Sequence, residues 1–79
     1  MEKVIIDTEY ITLGQMLKMT NIISSGGMAK WFLGEHTVYL NDEEENRRGK
    51  KLYDGDVVNI PGQGEFKISA TKNGQVDVH

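Results

Sequence analysis

The chain has no cysteine, which excludes a disulfide framework, a thiolate zinc site and a cysteine nucleophile, and suits a reducing compartment. It has one proline, Pro61, so no proline-rich linker divides it. Long apolar runs are also missing. Val4-Ile5-Ile6 falls well short of the ~7 to 15 apolar residues of a signal-peptide core, or the roughly 20 of a membrane span. Positive charge is in deficit, with nine Lys and Arg against twelve Asp and Glu and a formal net charge of −3. That balance excludes a protein that coats nucleic acid through bulk charge. With 79 residues, the chain is expected to form one domain over residues 1–79, burying only about 60% of the surface its unfolded form exposes. A deep catalytic cleft does not fit that size. The expectation is a soluble, cytoplasmic, monomeric protein.

What is present begins with a helix signal. Thr12 and Gln15 form a Thr-x-x-Gln capping box, flanked by Ile11 and Met16 as a hydrophobic staple. Leu13, Met16, Leu17 and Thr20 recur at helical spacing, which predicts a short helix to about Thr20 with Lys18 off its apolar stripe. Ser24-Ser25-Gly26-Gly27 then offers hydroxyls and permissive backbone, and a second helix is expected to start near Gly26 or Gly27. On that helix Ala29, Phe32, Leu33 and His36 share a face, while Trp31 points away beside Lys30.

From Thr37 the pattern turns to strand. Thr37–Leu40, an Asn41-Asp42 turn and Glu43–Glu45 make a hairpin; Asp56–Ile60 is a further strand after the Asp54-Gly55 turn. Phe66–Ala70 and Gln75–Val78 alternate around Asn73-Gly74 and predict a C-terminal hairpin, with Val4–Ile6 as an added edge strand. The class is α+β, a two-helix unit packed on a small, mostly antiparallel sheet.

Charge is sorted along the chain. Asp42 to Glu45 are four consecutive acids, and Arg47, Arg48, Lys50 and Lys51 follow at once. With a Debye length of about 8 Å at physiological ionic strength, the basic block keeps a local field despite the acidic total.

In order, these pieces resemble an S4 RNA-binding domain over residues 12–58. The matching stretches are Leu13–Lys18, Ser24–Leu33, Val38–Asn41, Arg47–Leu52 and Gly55–Val58. The Ser24–Phe32 and Arg47–Lys51 versions are most similar to small stand-alone bacterial S4 proteins of the YaaA type. The resemblance implies a non-catalytic module for structured RNA, commonly ribosomal RNA or a ribosomal particle, with no cofactor and no attached catalytic domain. It also implies the contact residues: Lys30 on the second helix, Ser25, Gly26 and Gly27 in the turn, and Arg47, Arg48, Lys50 and Lys51 in the basic loop. Lys18 lies on the exposed face of the first helix and is a further candidate. The ordinary alternatives are solvated lysines and a plain helix cap.

Trp31 has two readings. An exposed indole beside Lys30 could stack an unpaired base; the commoner role of a lone tryptophan in so small a domain is packing, here under an added terminal strand. Tyr39 and Tyr53 are expected to pack on the sheet. The chain departs from the S4 pattern at Gly26, where many members carry arginine, at His36 and Asp42, where glycine is usual, and at Glu44, usually apolar. His36 and Asp42 are therefore expected in left-handed backbone.

Other chemistries lack their groups. His36 and His79 are the only histidines, Asp42–Glu45 lacks the ligand alternation of an EF-hand, and Gly62-Gln63-Gly64-Glu65 is not followed by the Lys-Ser or Lys-Thr of a phosphate loop. Two further classes stay open. Asp54–Ile60 also suits a protein-interaction adaptor with β-grasp-like strands and no RNA ligand. The two helices could form a DNA-binding pair, although the second offers only Lys30 to a phosphate or a guanine.

Overall fold

The computed structural model describes residues 1–71. β1 (Glu2–Ile6) is followed by the short β2 (Tyr10–Thr12), which runs directly into α1 (Leu13–Met19). Thr12 caps that helix as its sequence predicts. Its hydroxyl accepts the Gln15 amide at 3.2 Å, and the Gln15 side chain accepts the Thr12 amide at 2.8 Å. The helix stops in a way the sequence reading did not anticipate. Asn21 takes φ 64°, and the amides of Asn21 and Ile22 return to the carbonyls of Lys18 and Leu17. This is a Schellman closure with asparagine in the left-handed position usually held by glycine.

A single 3₁₀ turn (Gly26–Met28) leads into α2 (Ala29–Glu35). The Ser25 hydroxyl does not cap it, and Ser24 Oγ contacts Met28 Sδ instead. Ala29, Phe32 and Leu33 are buried as the helical spacing predicts. His36 is a correction. Its φ of −129° is extended and not left-handed, and its ring stacks on Phe32 with centroids 4.5 Å apart. The chain thus leaves α2 straight into extended structure and needs no left-handed residue there.

β3 (Tyr39–Leu40) and β4 (Glu43–Glu44) pair around Asn41 and Asp42, both with positive φ, the backbone of a type I′ hairpin. Asp42 therefore does adopt the left-handed form. β5 (Lys51–Tyr53), β6 (Val57–Ile60) and β7 (Gly64–Ala70) complete the fold. Pro61 and Gly62 turn the chain between β6 and β7, Gly62 at φ 89°, and the Gln63 amide closes the turn on the Ile60 carbonyl.

The main sheet has the order β1-β7-β6-β3-β4, antiparallel except for the parallel β1–β7 pair. β1 is the expected edge strand. β5, which the sequence pattern does not mark as a strand, pairs with β2 in a separate two-stranded ribbon. Three-residue strands carry too little alternation to reveal a partner. The predicted C-terminal hairpin partner, Gln75–Val78, lies outside the described residues.

One contiguous apolar cluster ties these layers together. Leu13, Met16 and Leu17 from α1 and Leu52, Ile60 and Ile68 from the strands are closed to water, each stabilising the fold by ~1.5 to 3 kcal/mol relative to exposure. Among the described residues no charged or polar side chain is buried, so the polar chemistry is at the surface.

Candidate nucleic-acid interface

α1 and the basic loop are joined backbone to backbone. The first amides of a helix have no partner within it; here the Leu13 amide donates to the Lys50 carbonyl at 2.8 Å, and the Gly14 amide to the Arg48 carbonyl at 2.9 Å. The approach is close because Gly14 has no side chain. A Cβ there would lie 3.3 Å from the Arg48 carbonyl oxygen and 3.4 Å from the Ala29 Cβ. Gly14 thus seats both the loop and α2 against α1.

That seating forms an open hollow of about 410 Å³ lined by Thr12, Gly14, Gln15, Lys18, Gly26, Ala29, Arg48 and Gly49. Lys18 from α1, Gly26 from the turn before α2 and Arg48 from the loop meet there from three separate parts of the chain. The amides of Gly26 and Gly27 have no hydrogen-bond partner among the described residues, and both glycines are exposed. Ser25 stands beside them, exposed. Lys30 follows Ala29 on α2 and is also exposed.

The remaining candidates lie elsewhere. Arg47 is turned onto Glu45 as a fork, Nε to Oε2 at 2.9 Å and a terminal nitrogen to Oε1 at 3.1 Å, with its own amide also donating to Oε2. Glu45 is only 11% exposed in its side chain; the Arg47 hydrogen bond outweighs desolvation and holds its carboxyl below the ordinary glutamate range. Arg47 is thus committed to the acidic hairpin, while its sequence neighbour Arg48 faces the hollow. Lys50 is half-buried, its backbone closing α1 and its amide bonded to the Arg47 carbonyl. Lys51 leaves along β5, its Nζ 4.9 Å from the Tyr10 ring centroid.

Trp31 resolves one alternative. It is 59% exposed, no described strand covers it, and it meets His36 edge-on with centroids 6.5 Å apart. Packing under a terminal strand is therefore corrected: Trp31 faces outward, as the helical spacing places it. Tyr53 is corrected too, being 44% exposed. Sequence reasoning gave no site role to Gly14 or Gly49 and read Gln15 only as part of the helix cap. Only Gly14 left a signal, as a glycine inside a helical pattern, which marks a close backbone approach.

The profile of the S4 domain family matches residues 4–69, and the chain belongs to that family. A curated relative, the probable ribosome maturation protein RlbA of Bacillus subtilis (strain 168), is 67% identical over 63 residues, covering 80% of this chain and 89% of the relative. No helix among the described residues is long and apolar enough to cross a membrane.

Proposed function

We propose that the protein is a non-catalytic RNA-binding module that engages structured ribosomal RNA, or a ribosomal particle, in the cytoplasm during ribosome maturation. The observation that carries this is the hollow where Lys18, the Gly26 turn and Arg48 converge. An open, cation-edged surface with glycine backbone at its floor suits a ribose-phosphate chain, whose charge supplies most of the affinity. Lys30, Lys50 and Lys51 extend positive charge on either side, and Ser25 and Gly27 bring polar groups to the turn. The acidic β3–β4 hairpin, with Arg47 neutralised against it, turns the RNA toward the helical pair. S4 family membership and the name of the Bacillus relative support the same reading.

The adaptor reading has one observation in its favour, a second open hollow between β1 and α1 with the apolar Ile5, Tyr10, Ile11 and Met19 on its walls. Affinity purification of the full chain from lysate, with and without ribonuclease, separates the two. RNA binding predicts ribosomal RNA in the untreated eluate and loss of co-purifying proteins after nuclease. Protein partners that survive nuclease in the absence of RNA support the adaptor.

A further inference from the structure

Thr12, at the edge of the hollow, belongs to the β2–β5 ribbon, whose outer face carries two part-exposed tyrosines; Tyr10 itself lines the neighbouring hollow between β1 and α1. Tyr10 and Tyr53 are directly opposed across the strands, their ring centroids 5.6 Å apart and their planes tilted 47°. They remain 37% and 44% exposed. Ile11 and Leu52, which point the other way, are buried, so strand alternation puts Tyr10, Thr12, Lys51 and Tyr53 on one outward face. Thr12 and Lys51 are the next pair toward α1 on that face, and Thr12 also lines the hollow with Lys18 and Arg48. Two residues of strand advance about 6.7 Å, a short reach for a nucleic-acid backbone leaving the hollow.

We propose that Tyr10, Tyr53 and Lys51 form a stacking site for an unpaired nucleobase of the RNA held at the hollow, an inference that rests on the RNA-binding reading. Aromatic faces take bases of any sequence because every base has a π surface, and unpaired nucleotides present theirs where a duplex does not. The rings meet tilted and so do not cover each other in a parallel stack, although the Lys51 ammonium lies over the Tyr10 ring. Lys51, poised at the Tyr10 ring, brings a cation to the phosphate beside the stacked base. Of the neighbouring acids, Asp54 accepts the Ala70 amide, and Asp56 accepts the Tyr53 amide and the Asn41 side chain, while Glu9, beside Tyr10 in sequence, is exposed. A cross-strand aromatic pair also steadies a short ribbon, but that role needs no RNA and changes only stability.

The test compares two labelled RNAs with the full-length protein: a blunt hairpin, and the same hairpin carrying a short overhang of unpaired adenosines. The wild-type protein is expected to bind the overhang RNA about tenfold more tightly. Tyr10→Leu and Tyr53→Leu should each remove most of that gain while leaving blunt-hairpin affinity and its salt dependence unchanged; Tyr53→Phe should keep it. With 5-iodouridine placed in the overhang, irradiation of the wild-type complex should yield an adduct on Tyr10 or Tyr53, a readout independent of how any variant folds. Equal affinity for the two RNAs, or an adduct on neither tyrosine, overturns the stacking site. If the blunt hairpin still binds with a salt slope, the RNA-binding reading survives that failure; if neither RNA binds, both fall.

Discussion

Glu45 and Arg47 show how a residue's chemistry is decided by its neighbour. In sequence Arg47 is one of four equivalent cations, yet in the fold it alone of them forks onto Glu45. Because the pairing lowers the Glu45 pKa, its contribution to stability is complete above the ordinary glutamate value of about 4.3 and is lost as pH falls through the lowered folded value. The Arg47 side chain is 68% exposed, so the effect is small. Thermal melts of wild type and Glu45→Gln should differ slightly at neutral pH and converge only as pH falls through the lowered folded value of Glu45, below which both side chains are neutral. A second residue-scale test concerns Asn21, whose φ of 64° places it where glycine is easiest. Asn21→Gly should be neutral or slightly stabilising, and Asn21→Ala destabilising by about 1 kcal/mol, in urea denaturation.

At the scale of elements, both helices, the capping box, the Asn41-Asp42 hairpin and the strands at β6 and β7 were legible, because each carries its own period or turn chemistry over enough residues. The β2–β5 ribbon was not. Its three-residue strands show no period, and their pairing is fixed by the Leu13 and Gly14 amides reaching the loop before β5, a contact between segments more than thirty residues apart in sequence. The site was legible in part for the same reason. A basic loop and the single lysines of the two helices can be read from the sequence, but the sorting of Arg48 into the hollow and Arg47 away from it depends on which carbonyl Gly14 meets. Gly14→Val tests that junction. Its side chain would press on the Arg48 carbonyl and Ala29, so it should destabilise the fold by ~1 to 3 kcal/mol, read by chemical denaturation. RNA affinity should fall even where the protein is still folded, because the loop is displaced from α1.

For the whole molecule, a net charge of −3 and an RNA ligand are compatible because the two signs are separated in space. Four of the twelve acids, Asp42 to Glu45, gather at the β3–β4 hairpin, and Lys18 and Arg48 line a hollow at a different part of the surface. The consequence is that binding depends on a few cations and not on the total. The measurement that tests this most directly is the salt dependence of affinity for a ribosomal RNA fragment, taken for wild type, Lys18→Glu with Arg48→Glu, and Arg47→Glu, with circular dichroism to confirm each fold. About four phosphate contacts predict a slope of log K against log salt near −3 for wild type. The Lys18 and Arg48 reversals should abolish it, while the Arg47 reversal should cost far less. A wild-type slope near zero, or an Arg47 reversal as damaging as that of Lys18 and Arg48, would contradict the convergent cationic hollow as the RNA-binding surface.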